Sequence, residues 1–280
     1  LPGTSGHMMG AVLLAILLGP HAAALVMASV VIIQCLIFQD GGLLALGCNL
    51  INLALVPTYT GHLLYRLLVT RRPGKTGTWM GTMIASLFTV ELAAILVVLQ
   101  TGLSGVVTIP LRTFLVVLLG VHFVIGMLEG ILTVAIIGYL QEVRPDLFAR
   151  TQPGSSRISL STLLVSLMGA ALILAGLVSL WASERPDGLE WSYAERPDQP
   201  NFRPIITNED PAVAGAEKIQ ARWSLWPGYT RRTVQLGQTE DSSAPTSPGW
   251  TSVAGIVGAL LTMASVWMCA TLMRRRTSYT

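Results

Sequence analysis

Eight polar or ionisable side chains sit inside long apolar runs of this 280-residue chain: His21, Gln34, Asn49, Asn52, His62, Glu91, His122 and Glu129. Away from water such groups are costly, so each implies a partner, a change of protonation or a role in moving charge. His122 and Glu129 are seven apart, two turns along one helical face. A neutral imidazole donating to that carboxylate would make an intramembrane polar pair, useful for packing or for passing an ion. Asn49 and Asn52, three apart, have the spacing of interhelical hydrogen-bond glue. Glu91 stands alone in its run and needs a neutralising partner or a proton. His7 differs, because it precedes the first run, in Pro2-Gly3-Thr4-Ser5-Gly6-His7. It is either a helix-entrance residue, with Ser5 or Thr4 as the cap, or the exposed end of a metal site.

No motif for bond-breaking chemistry accompanies these groups. HExxH, GxSxG and the phosphate-cradling GxxxxGK[ST] are all missing from the sequence. The chain therefore reads as a non-enzyme, and active transport through it would draw energy from partner subunits or an ion gradient. Cys35, Cys48 and Cys269 all fall in apolar segments, which indicates neither a disulfide framework nor a thiolate cluster.

The elements that must carry these side chains are membrane helices. Of the residues, 52% are hydrophobic and 12% charged, against roughly a quarter charged in soluble domains. Apolar segments cover 8–18, 21–38, 43–68, 78–101, 109–141, 158–181 and 250–273. Most reach the ~20 residues needed to cross hydrocarbon, which predicts an all-α polytopic transmembrane bundle in a lipid bilayer. The stretch 182–248 holds ten of the fifteen acidic residues and eight prolines, and is expected to be a long, mostly irregular loop outside the bilayer. The net charge of +3 does not indicate nucleic acid, because the basic residues gather at segment ends.

Ten of the eleven Lys and Arg outside that loop fall in three places: Arg66, Arg71, Arg72 and Lys75; Arg144, Arg150 and Arg157; and Arg274, Arg275 and Arg276. The positive-inside rule then puts those places and the C-terminus in the cytoplasm, with loop 182–248 external and Arg112 the exception. Both His7 and the Gln39-Asp40-Gly41-Gly42 turn must be external as well. The first segment ends at Gly19-Pro20 after about eleven residues, too few to cross at 1.5 Å per residue. The expectation is a half-depth hairpin, with 8–18 dipping in and 21–38 returning, and His7 at its outer mouth. Gly126 and Gly130 have the small-xxx-small spacing of a close helix approach.

Four blocks in order carry a resemblance: Pro2-Gly3-Thr4-Ser5-Gly6-His7; Ala15-Ile16-Leu17-Leu18-Gly19-Pro20; Asp40-Gly41-Gly42-Leu43 through Asn49; and Val121-His122-Phe123-Val124-Ile125-Gly126-Met127-Leu128-Glu129-Gly130 with Arg144-Pro145-Asp146-Leu147 after it. They resemble the substrate-binding membrane component of energy-coupling-factor nickel and cobalt transporters, the CbiM/NikM type. Pro186-Asp187-Gly188-Leu189-Glu190 resembles the signature of the small two-span accessory component of the same systems, so the chain looks like a fusion, 1–157 and 158–280. The resemblance implies Ni²⁺ or Co²⁺ as transported substrate, no catalytic cofactor, and residence in the cytoplasmic membrane. It implies partnership with a transmembrane coupling subunit and two ATPase subunits. It also implies a planar nitrogen set from an N-terminal Met-His, through amine, amide and imidazole, completed by a further histidine that matches His7; such a set suits d⁸ Ni(II). Asn49 would then be a donor just outside the ligands. Because the chain opens on Leu1, the Met-His and about two spans are expected upstream, and metal binding by residues 1–280 alone is expected to be weak. A secondary proton-coupled cation carrier using Glu91, His122 and Glu129 is the competing expectation, and it needs no ATPase.

Overall fold

The computed structural model describes residues 6–104, 111–148, 159–181, 211–229 and 248–277. All regular structure among them is helical: α1 (Ala11–Leu18), α2 (Pro20–Ile37), α3 (Leu46–Asn49), α4 (Val56–Arg71), α5 (Lys75–Ser104), α6 (Leu111–Val143), α7 (Leu160–Gly176), α8 (Pro211–Trp223) and α9 (Pro248–Thr277). Five stretches are long and apolar enough to cross a membrane, namely Pro20–Ile37, Leu43–Arg71, Lys75–Ser104, Leu111–Val143 and Gly249–Thr271, with Ser161–Gly176 shorter. The protein is thus an all-α polytopic bundle, as its apolar runs predict. The signature Pro186 to Glu190 lies outside the described residues.

α1 has 8 residues, about 12 Å of helix, less than half of a ~30 Å hydrocarbon layer. It stops because Gly19 adopts φ 81, closed to most side chains, and Pro20 then opens α2 where its missing N–H costs nothing. The Gly19 N–H returns to the Ala15 carbonyl, and the Gly19 carbonyl takes the Ala23 N–H, so the turn leaves neither group unpaired. The run 43–71 is helical but uneven. Pro57 cannot donate to the carbonyl four residues back, and the backbone upstream widens into a π-helix over Leu50–Leu55. The Thr58 hydroxyl bonds the Ala54 and Leu55 carbonyls at 2.6 and 3.0 Å.

The described residues form two compact units. The first takes Leu1–Ala28 and Gly47–Ser159, the second Ser29–Leu46, Leu160–Arg185 and Asn208–Thr280. In the first, α5 presents small buried residues (Gly81, Thr82, Ala85, Ser86, Thr89) along its length. A Cβ on Gly61 of α4 would come within 2.8 Å of the Val12 side chain, so α1 seats in a notch only glycine leaves open. Gly126 and Gly130 of α6 meet Leu87 and Met83 of α5 at comparable range, which is the close approach their spacing predicts. Leu103, Val116, Val124 and Ile131 stay exposed on the outer faces, where lipid would solvate them.

In the second unit α7 packs on α9, where a Cβ on Gly255 would approach the Ala175 carbonyl to 2.9 Å. The stretch 211–229 corrects the expectation of an irregular loop there, because Pro211–Trp223 is a helix. Its sequence explains this: Pro at the first turn, Ala, Glu, Lys and Gln within, and Arg222 in the last turn. The end of α2 is held from this segment. Gln220, 3% exposed, donates to the Cys35 and Gly41 carbonyls and accepts from the Leu43 N–H. Leu225 and Trp226 N–H bond the Ile37 carbonyl, and Gly228 N–H bonds that of Phe38.

Candidate functional site

The candidate site lies in the first unit, where the stretch before α1 meets α6. Gly6 lies against Ile125, close enough that a Cβ would come within 2.5 Å of its Cδ1. His7, exposed, has its imidazole within electrostatic reach of that of His122. Two residues on, the Met9 N–H donates to Glu129 Oε2 at 2.8 Å and the Gly10 N–H to Oε1 at 3.2 Å. Glu129 is 2% exposed. Gly10 is the N-cap of α1, with φ 65 and no side chain to offer; Glu129 takes the N–H of this N-cap and of the residue before it.

His122 and Glu129 do not bridge to each other as the spacing suggested. Seven residues are about 10.5 Å along a helix axis, too far for a direct hydrogen bond. The His122 Nδ1 lies 2.9 Å from the Leu118 carbonyl. A carbonyl only accepts, so the neutral ring carries its proton on Nδ1 and presents Nε2 as a bare lone pair. The two residues share a face of α6 and meet the N-terminal stretch at different points. What they have in common is the segment that carries His7.

Among the described residues no set of three or more His, Cys, Asp or Glu converges as a metal-ligand cluster. His7 and His122 each carry an imidazole, a donor type that suits Ni(II) and Co(II). Asn49 ends α3 half-buried. Its neighbour Asn52, in the π-helical turn, has the side-chain partner: it exchanges reciprocal bonds of 2.7 and 3.0 Å with Gln100 of α5. His21 and His62 are also engaged, the first with the Tyr59 hydroxyl at 2.8 Å, the second with the Ala15 carbonyl at 2.9 Å. Glu91 is half-buried on α5.

Sequence reasoning missed the two backbone donors on Glu129, and no side-chain pattern could have found them. Gln100 was legible only as a polar residue near the end of an apolar run.

The description "CbiM: Cobalt uptake substrate-specific transmembrane region" matches residues 1–147, and the PDGLE domain matches residues 161–275. The putative fused nickel transport protein NikMN of Archaeoglobus fulgidus is 34% identical over 63% of this chain and 58% of its own length. The probable fused nickel transport protein LarMN of Lactiplantibacillus plantarum is 27% identical over 69% of this chain and 62% of its own. The cobalt transport protein CbiM of Sorangium cellulosum is 30% identical over 55% of this chain and 71% of its own. The chain therefore spans about three fifths of the length of the fused relatives it matches. No solved structure matches it. With its first 147 residues matched, more than half of the chain, this protein belongs to the CbiM family of cobalt uptake substrate-specific transmembrane regions, here followed by a PDGLE domain.

Proposed function

We propose that this protein captures Ni²⁺ or Co²⁺ at the external face of the cytoplasmic membrane as the substrate-binding component of an ATP-driven, energy-coupling-factor uptake transporter. The observation that carries the reading is the gathering of His7, His122 and Glu129 around one short stretch at the start of a helix too short to cross the membrane. Imidazole nitrogens just ahead of a helix too short to cross would take a borderline cation from the outer aqueous phase without exposing it to hydrocarbon. His7 acts as a metal ligand, and Asn49 as a donor beyond the ligand shell. ATP hydrolysis falls to two ATPase subunits, joined through a transmembrane coupling subunit. Residues 1–157 form the metal-binding domain and 158–280 the accessory domain, with 182–248 external and the C-terminus cytoplasmic. The nickel and cobalt transport functions of the relatives support the choice of substrate.

The test is uptake of radioactive nickel and cobalt by cells producing the full-length protein, with and without the neighbouring ATPase genes, and with His7→Ala. Uptake should need the ATPases and fall to background in His7→Ala. Uptake that survives without ATPases and collapses when the proton gradient is dissipated would replace this reading with a secondary carrier.

A further inference from the structure

We propose that Glu129 is a positioning residue that sets where His7 sits, by clamping the backbone two and three residues downstream of it. This rests on the reading of His7 as a ligand. Two contacts hold the stretch 6–10 against α6: Gly6 at Ile125, and the Met9 and Gly10 N–H groups on Glu129. Positions 125 and 129 are four apart and so share one helical face. Of the two only Glu129 supplies directional bonds, two of them, from a carboxylate that is 2% exposed.

An ordinary N-cap would come from a Ser, Thr, Asp or Asn just before the helix, and would move with it. Here the N-cap is Gly10, and its own N–H is taken by a residue 119 positions away in sequence. The start of α1 is therefore tied to α6 and not to its own flank. Gly10 adopts φ 65, open to glycine and costly for most side chains, at the junction of that stretch and the helix, three residues after His7. Ligands held by oriented neighbours lose less freedom on binding metal, and outer-shell contacts of this kind are worth about 10–100-fold in metal affinity.

The experiment measures Ni²⁺ affinity of the purified full-length protein by titration calorimetry, together with its melting temperature. Glu129→Gln retains one acceptor oxygen and should weaken binding about tenfold; Glu129→Ala retains none and should weaken it about 100-fold. Gln100→Ala breaks two bonds of similar burial in the same unit, away from this stretch, and should change affinity less than about twofold. In a His7→Ala background, Glu129→Gln should weaken binding no further. Affinity unchanged in Glu129→Gln, an equal loss in Gln100→Ala, or a further loss in the His7→Ala background would each overturn the proposal. Unchanged affinity in His7→Ala alone would instead overturn the ligand reading on which it rests. Should neither Glu129 variant fold, hydrogen exchange of the unaltered protein decides: Met9 and Gly10 amides should exchange at least about tenfold more slowly than those of His7 and Met8, and equal rates would refute the clamp.

Discussion

Replacing Gln220 by alanine should free the segment 211–229 from the end of α2. Gln220 makes three bonds: Nε2 to the Cys35 carbonyl at 3.0 Å, Nε2 to the Gly41 carbonyl at 3.0 Å, and Oε1 from the Leu43 N–H at 3.2 Å. Cys35 is in the last turn of α2, so its carbonyl is among those a helix end leaves without an internal partner. The bond to it is fully buried and the other two are partly so. A buried orphan carbonyl costs about 1–3 kcal/mol, and each partly buried bond contributes about 0.5–1.5 kcal/mol. The substitution should therefore cost about 2–6 kcal/mol of local stability.

The assay is limited trypsin digestion of the purified protein, reading cleavage after Lys218 and Arg222, which are exposed but helical. Cleavage of a helix requires local opening, and its rate follows the open population when reclosing is fast. At the lower bound of about 2 kcal/mol that population rises about thirtyfold. Glu217→Ala, an exposed change one turn earlier, should stay within about threefold. Cleavage of Gln220→Ala within threefold of the unaltered protein would show that the three bonds do not hold the segment.

Two glycines on α6 should respond differently to alanine. At Gly126 the new Cβ would meet the Leu87 backbone Cα at 3.2 Å, whereas at Gly130 its nearest neighbour is the movable Met83 Sδ; thermal melts in detergent should show about 1–3 kcal/mol lost at Gly126 and less than about 1 kcal/mol at Gly130, and the reverse order would refute the packing. A double-mutant cycle on Asn52 and Gln100 should give a coupling of about 0.6–1.7 kcal/mol, the range found for polar pairs between membrane helices, and zero coupling would refute the reciprocal bond. The Tyr229 hydroxyl, which donates to Asp40, is pushed above its ordinary value first by burial and then by the Asp40 charge. The unfolded tyrosine ionises near ~10, so this contact is fully present below that pH and is lost as pH rises above it. Hydrogen exchange at Phe38–Leu43 should accelerate above pH ~10 beyond the intrinsic rate, and Tyr229→Phe should abolish the extra acceleration.

Much of the bundle was legible because the bilayer imposes length and composition on anything that crosses it. The expected ends at 18, 38, 68, 101 and 141 fall within three residues of the helix ends at Leu18, Ile37, Arg71, Ser104 and Val143. The turn at Gly19-Pro20 was legible for a local reason, since both residues act on their own backbone. Helix α8 escaped notice because the prolines and acids around it dominate the composition of 182–248. Yet Asp210-Pro211 followed by an Ala-rich run is a helix-start signal. The site was half legible. Residue types marked His122 and Glu129 as expensive and therefore meaningful, but spacing along one helix suggested that they pair. Their partners are backbone groups, the Leu118 carbonyl and two N–H groups before α1, and every residue but proline carries those.

The start of α1 and the end of α2 meet one physical problem. A helix start leaves N–H groups unpaired and a helix end leaves carbonyls unpaired. Glu129, an acceptor, meets the N–H groups at the start of α1; Gln220, which donates twice, meets the carbonyl at the end of α2. Each side chain matches in polarity the end it serves, and each comes from more than a hundred residues away. The placement of His7 and of the turn after Phe38 is therefore governed by two remote side chains. Volume-conserving exchanges within α1 should be tolerated at less than about 1.5 kcal/mol. Changes at Glu129 or Gln220 should not.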